Sequence, residues 1–186
     1  AGEMTTIYLE PQIFNVNETV VTGQYAPETV DKSIYKVHVI GAKQIEEKGA
    51  SNLADLLTGE SNIQIQQDGV LGSSLKMQGM TGENVKILID GVPVIGRMNG
   101  NIDLGQLDLS NVDHVEIVEG PMSVVYGTNA LAGTINIITK ENKRNSLLAQ
   151  LNTYYETVGQ YNIDANASYK KNKHTISMAT GRNFFD

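Results

Sequence analysis

The sequence predicts an α+β domain, a small mixed sheet with short helices, followed by antiparallel strands that alternate like the wall of a transmembrane β-barrel. Three observations lead there. Residues 42–57 switch from a polar, interrupted stretch to helical spacing. Residues 115–140, VEIVEGPMSVVYGTNALAGTINIITK, run a short strand into a Gly-Pro turn, a compact small-residue segment and a second strand. Residues 160–170 alternate apolar and polar side chains almost without error.

Composition narrows the function classes before any motif is considered. A chain of 186 residues can bury one good core and a small appendage. The net charge is -7 and the lysines and arginines are scattered, which argues against nucleic acid as a partner. Cysteine is absent, so there is no disulfide framework and no thiolate metal site, and the redox compartment is left open. No apolar run approaches the roughly 18 to 20 residues of a membrane-spanning helix, and no signal peptide precedes Ala1. An exported protein would therefore be present here in processed or trimmed form.

Residues 1–36 are polar and interrupted, with β-like runs at 6–9 and 18–22, and read as extended. The helical stretch holds Ile45 in a short first helix stopped by Gly49. Ser51 is placed to cap a second helix whose Leu53, Leu56 and Leu57 share one face. Three strand candidates follow at 62–66, 74–78 and 84–90, separated by glycine-bearing segments, and together they predict a small mixed sheet. The last runs into Asp90-Gly91, a turn signal, and on through Val92-Pro93-Val94. In the 115–140 run, Pro121 suits the first position of a helical turn, while Gly120 and Gly127 permit backbone conformations that cost other residues energy.

Beyond Lys140 three meander strands are predicted. The first puts Leu147, Ala149, Leu151, Thr153 and Tyr155 on one face. The second has Tyr161, Ile163, Ala165, Ala167 and Tyr169 on one face and Asn162, Asp164, Asn166 and Ser168 on the other; the third carries Ile176 and Met178. Strands of about ten residues with tyrosines near their ends and one polar face match the signature of a transmembrane barrel. A soluble antiparallel sheet with one solvated face has the same periodicity.

The order Gly120-Pro121, Ser123, Tyr126-Gly127, Ala130, Gly133 and then Ile135-Asn136-Ile137-Ile138-Thr139-Lys140 closely resembles the end of the plug domain of TonB-dependent outer-membrane receptors. The run Ile87-Leu88-Ile89-Asp90-Gly91-Val92-Pro93-Val94 resembles the strand-turn signature of the same family. The resemblance covers nearly the whole chain: an extended segment over 1–31, a plug over 32–140 and the first barrel strands over 146–186. It implies a barrel of about 22 strands whose lumen the plug fills. Three strands cannot close, and an open edge in lipid leaves backbone groups unpaired. The rest of the wall is therefore expected outside this chain, as a separate co-folding polypeptide or a stretch lost to cleavage or disorder. With the plug entered from the periplasm, the first strand rises, the second descends and the third rises again, which puts the interruption in an extracellular loop.

The resemblance also implies sites. Asn17, Glu18, Thr19, Val20, Val21 and Thr22 resemble the TonB box, a β-prone stretch that would add a strand to the edge of a TonB-type periplasmic energising protein. Residues 6–11 read either as the closing strand of an upstream regulatory domain or as the mature tail. Ligand contact is expected at two plug loops, 67–73 with Asp68, Gly69, Gly72 and Ser73, and 95–101 with Arg97, Met98, Asn99 and Asn101. Arg97 could receive a carboxylate or phosphate, Met98 could pack on an apolar macrocycle, and the asparagines could hydrogen-bond. The implied activity is import of a scarce nutrient, a metal chelate such as a siderophore, haem or cobalamin, across the outer membrane of a Gram-negative bacterium. Lipid surrounds the wall and the plug is accessible from the periplasm.

Two departures from the family pattern stand out. Many members carry an arginine before the glycine where this chain has Gln78 and Glu119, so the contacts that lock the plug to the wall are in question, and a lysine or arginine from the absent barrel wall opposite Glu119 would restore them. Glu119-Gly120-Pro121 and Asn129-Ala130-Leu131 differ from the lysine-aspartate and arginine-alanine segments of the branch that imports glycans or peptides with a surface lipoprotein, which is the alternative reading. A soluble α+β binding module is the other. His38, His114 and His174 are far apart, and no metal ligands or resident cofactor are expected. The nucleophile, zinc and phosphate-loop motifs GxSxG, HExxH and GxxxxGKS are missing, so no catalytic residues and no enzyme activity are expected.

Overall fold

A computed structural model describes residues 19–20, 22–23, 28–33, 35–68, 72–96, 101–127, 130–142, 146–155, 157, 159 and 161–184. Its α+β domain is built on a five-stranded mixed sheet. The strand order is β3 (Lys36–Gly41), β9 (Val112–Glu119), β10 (Gly133–Thr139), β7 (Val85–Ile89) and β8 (Val92–Pro93), with β10 and β7 parallel and the other pairs antiparallel. Two short helices, α1 (Ala42–Lys48) and α2 (Leu53–Leu57), cover one face. Ile45, Leu53, Leu56 and Leu57 pack there with Ile87, Val115, Ile117, Ile135 and Ile137 in one core cluster. The alternation of each strand then turns Leu88, Glu116, Val118, Thr134 and Asn136 to the opposite face.

The helix signals act much as the sequence predicts. Gly49 ends α1 in the left-handed conformation at φ +63°, where its N–H bonds back to Ile45 and Glu46. The cap of α2 differs by one residue. Asn52, not Ser51, is the N-cap, its Oδ1 accepting from the Asp55 N–H at 3.0 Å, while the Ser51 hydroxyl donates to the Asp55 carboxylate at 3.0 Å.

The three strands expected in a single mixed sheet divide between two. β4 (Ile63–Asp68), β5 (Gly72–Met77) and β6 (Met80–Thr81) form a separate antiparallel sheet, and only β7 joins the main one. The reason is the turn at Gln78-Gly79. Both residues have positive φ, +50° and +81°, which folds the chain back so that Met80 pairs with Met77 and the chain then leaves for the main sheet. The Asp90-Gly91 turn behaves alike, with φ +49° and +80° between the paired residues Ile89 and Val92. Pro121 lies before the helix rather than at its first position: in α3 (Ser123–Tyr126) the Met122 carbonyl already accepts from the Tyr126 N–H at 2.9 Å, so Met122 is the capping residue.

β11 (Leu147–Tyr155), β12 (Tyr161–Lys171) and β13 (His174–Phe184) form the expected antiparallel meander. Their polarity is the reverse of a soluble sheet. Asn162 and Asp164 are buried, at 6% and 8% exposure, whereas Leu151, Ile176 and Met178 are about 70% exposed, at 68%, 72% and 73%. The pairs Leu147–Tyr169–Ile176 and Ala149–Ala167–Met178 run across the outer face, and Tyr161 stacks on Phe184 at one end with centroids 4.8 Å apart. The β-like run at 6–9 lies outside the described residues.

One close approach fixes how β9 and β10 meet. Gly133 opens β10 at φ +146°, and a Cβ there would stand 2.3 Å from the Val118 carbonyl oxygen and 2.8 Å from Met77 Sδ. Gly133→Ala is expected to destabilise the domain by about 2 kcal/mol or more, because backbone cannot withdraw as a side chain can. A urea-unfolding midpoint equal to that of the wild type would contradict this packing.

Candidate functional site

The β-prone segment near the N-terminus is docked on the sheet face that the helices leave uncovered. β1 (Thr19–Val20) pairs antiparallel with β2 (Glu28–Thr29), and Val20 is fully buried. Thr22 is 1% exposed and is held by both backbone and side chain. Its N–H donates to Glu116 Oε2 at 2.8 Å, its hydroxyl donates to the same oxygen, and its Oγ1 accepts from Asn136 Nδ2 at 2.8 Å. Gly23 follows at φ +70°, a left-handed conformation that favours glycine. A Cβ would lie 2.4 Å from Met122 Cε, and the Gly23 N–H donates to the Tyr126 hydroxyl at 3.3 Å. Asn17, Glu18 and Val21 lie outside the described residues.

Glu116 explains why this segment is held. Its side chain is completely buried on an interior strand of the sheet, where an unpaired carboxylate would be costly. Besides Thr22 it meets His114 Nε2 at 3.2 Å, and His114 Nδ1 meets Asp113 at 2.8 Å. The hydrogen bond to Glu116 raises the His114 pKa, with Asp113 adding to it and burial opposing. Asn136 is the direct cross-strand neighbour of Glu116. Its Oδ1 accepts the Gly91 N–H at 3.1 Å, which fixes which end of the amide is oxygen and joins the docked segment to the Asp90-Gly91 turn. Asp90 in turn accepts from the Thr139 N–H at 2.8 Å and its hydroxyl at 2.7 Å.

The described ends of the two candidate ligand loops meet at a single bridge, Ser73 with Ile102. Ser73, at the start of β5, donates its N–H to the Ile102 carbonyl at 3.1 Å and accepts from the Ile102 N–H at 3.3 Å. Asp68 and Gly72 face each other across the end of the β4–β5 ladder, and Asn101 is half-buried next to the bridge. Gly69, Arg97, Met98 and Asn99 lie outside the described residues. Among the described residues no group of three or more His, Asp or Glu side chains is placed to hold a metal ion.

A family model described as the TonB-dependent Receptor Plug Domain matches residues 29–134. The chain belongs to this family. It is similar to the vitamin B12 transporter BtuB of Vibrio cholerae, 34% identical over 136 residues that make up 72% of this chain and 22% of the transporter. It is also similar to that of Vibrio vulnificus, 33% identical over 135 residues, 71% of this chain and 22% of the transporter. The chain thus spans less than a quarter of the length of these relatives. Among solved structures, the fold is shared with the alcaligin receptor FauA of Bordetella pertussis, with TM-score 0.67, 19% identity and coverage of 89% of this chain and 29% of that one. It is shared also with the ferric yersiniabactin receptor FyuA of Yersinia pestis, with TM-score 0.65, 21% identity and coverage of 80% and 24%.

The plug's departures at Gln78 and Glu119 turn out to be one feature. Glu119 accepts from Lys36 Nζ at 2.9 and 3.0 Å, from Asn62 Nδ2 at 2.9 Å and from Gln78 Nε2 at 3.3 Å. Where a lysine or arginine of the wall is expected, the basic group on Glu119 among the described residues is Lys36 of the plug itself, and this cluster ties β3, the start of β4, the β5–β6 turn and β9 together. The strands after the plug present their polar face to it. Asn142 Nδ2 donates to the Ser146 carbonyl at 3.0 Å, Asn166 Nδ2 to Ser110 Oγ at 3.4 Å, and Lys170 stands 3.7 Å from Glu141.

Lys36 foremost, with Asn62 and Gln78, holds the Glu119 carboxyl below the ordinary carboxylate range against the opposing effect of burial. A carboxylate with a lowered folded-state pKa contributes stability that is present above its unfolded value of about 4.3 and is lost as pH falls through the folded value. Glu119→Gln is therefore expected to lower the thermal midpoint near neutral pH, with the gap to wild type closing as pH is taken to about 3. A gap that does not change with pH would contradict the ion pair.

Proposed function

We propose that the chain is the plug and first wall strands of a TonB-dependent outer-membrane receptor that imports a metal chelate, a siderophore, haem or cobalamin. The observation that carries this reading is the inverted polarity of β11–β13 beside a family plug. The buried polar face meets the plug, and the exposed face carries leucine, isoleucine and methionine, as a barrel strand between a filled lumen and lipid requires. A sheet in water would expose the other side. The remaining wall strands, outer-membrane lipid and a TonB-type periplasmic protein are the partners this reading needs, and the plug would be reached from the periplasm of a Gram-negative cell. Catalysis has no place in it.

The relatives support a chelate as cargo, since those similar in sequence are vitamin B12 transporters and those similar in fold include alcaligin and ferric yersiniabactin receptors. On this reading residues 67–73 and 95–101 form the floor of the binding site, with Asp68, Gly69, Gly72, Ser73, Arg97, Met98, Asn99 and Asn101 toward the cargo. Residues 17–22 are the box. A chelate bound above the plug makes the box available below, the TonB-type protein pairs with it as an added strand, and force on the plug opens a path.

Val20→Pro removes a backbone donor from the box. Cells carrying the full-length variant are expected to bind the chelate and fail to take it up; normal uptake would remove residues 17–22 from the energising contact. The cargo is identified by thermal unfolding of the full-length receptor with cyanocobalamin, haemin and a panel of ferric siderophores. One of these, at 100-fold excess over its dissociation constant, is expected to stabilise the native state by about 2.7 kcal/mol. Protection by an oligosaccharide alone would assign the receptor to glycan import.

A further inference from the structure

We propose that the cavity between the plug and the inner face of β11 and β12 is a divalent-cation site, with Asp108 of the plug and Asp164 of β12 as carboxylate ligands and the Asn162 side-chain oxygen as a third. The proposal rests on the reading of β11–β13 as wall strands and is independent of the cargo. The cavity holds about 260 Å³ and lies where those strands meet the end of α1 and residues 108–112. Asp164 and Asn162 are 8% and 6% exposed, so both are more than nine-tenths buried. Among the described residues no donor is bonded to the Asp164 carboxylate, and Asn162 Oδ1 has no hydrogen-bond partner. Two buried acceptors without donors, on residues that line one cavity, call for a positive group between them.

The surroundings are shaped for these groups. Gly181 is the direct cross-strand neighbour of Asp164, and a Cβ there would overlap Asp164 Oδ1, so the glycine leaves the space that the carboxylate takes. Asp108 is set by its own turn: Oδ2 accepts the Ser110 N–H at 3.1 Å and the Ser110 hydroxyl, which leaves Oδ1 for the cavity. The two carboxylates are close enough to act on each other, so without a cation they repel across the seam. Lys140 also lines the cavity, but its Nζ is bonded to the Ser110 carbonyl at 3.2 Å. Among the described residues no histidine lines it, and the chain has no cysteine, so the available ligands are hard oxygens of the kind that calcium and magnesium take. Two carboxylates and one amide oxygen fall short of the roughly six to eight oxygens of calcium, and the cavity has room for the waters that complete the shell. A bound ion turns the repulsion between Asp108 and Asp164 into a bridge from plug to wall.

The test is amide hydrogen exchange of residues 107–112 in the full-length receptor, stripped with a chelator and then given calcium chloride, magnesium chloride or sodium chloride at matched ionic strength. Calcium at about 10 mM, above the roughly 0.1–1 mM range of weak oxygen-ligand sites, is expected to slow exchange at least about fivefold over sodium. Asp164→Asn and Asp108→Asn are each expected to abolish that response, and to exchange no faster than wild type in sodium because the repulsion is gone. Lys140→Gln, which removes the competing cation, is expected to lower the calcium concentration at half-effect. Equal exchange of wild type in calcium and sodium would overturn the site, as would a calcium response that survives Asp164→Asn. Should Asp164→Asn fail to fold, Asp108→Asn, which preserves the turn at Ser110, decides in the same way. Because no uptake is measured, failure here leaves the import reading standing, and failure of the uptake or cargo tests leaves the calcium response standing.

Discussion

A buried carboxylate organises the plug. Glu116 lies on an interior strand of the five-stranded sheet with no exposure to solvent, and a charge in that position is tolerable only with donors around it. One side of the requirement is met within its own strand by His114, backed by Asp113. The other is met from far away in the chain, by the N–H and hydroxyl of Thr22. The N-terminal segment is therefore part of the domain's electrostatic closure. Removing one partner of a buried charged contact costs about 3–5 kcal/mol, so the docked segment is held by more than its short ladder with β2.

Glycine signals and strand alternation made much of the architecture readable in the sequence. Gly49 stops a helix, Asp90-Gly91 makes a hairpin turn, and the strict alternation of residues 161–171 gives both the strand and its two faces. Element pairing was less legible. The separate β4–β6 sheet depends on the Gln78-Gly79 turn, in which a non-glycine residue takes positive φ without a sequence pattern that announces it. The parallel contact of β10 with β7 is a long-range choice that periodicity does not encode. Near the site, Glu119 drew notice as a family departure while Glu116, three residues earlier, did not. A signal was nonetheless there. Asn136 interrupts the apolar run from Ile135 to Ile138, and a polar side chain on the buried phase of a central strand needs a partner.

Two of the three carboxylates of β9 divide the work of the domain. Glu119, at the strand's end, closes an internal cluster with Lys36, Asn62 and Gln78, so the plug's own elements are tied together. Glu116, in the strand's middle, ties the N-terminal segment to the sheet. Behind them the wall strands turn asparagine, serine and aspartate toward the plug and hydrocarbon outward. A polar seam of that kind can be wetted and sheared more readily than an apolar core.

The central claim is that Glu116 holds the box-like segment on the plug. It is tested most directly by maleimide labelling of a cysteine placed at Val20 in the full-length, ligand-free receptor. Labelling is expected to be slow with Glu116 present and at least about tenfold faster once Glu116 is replaced by glutamine, with the plug still folded. Equal labelling rates in the two backgrounds would contradict the account.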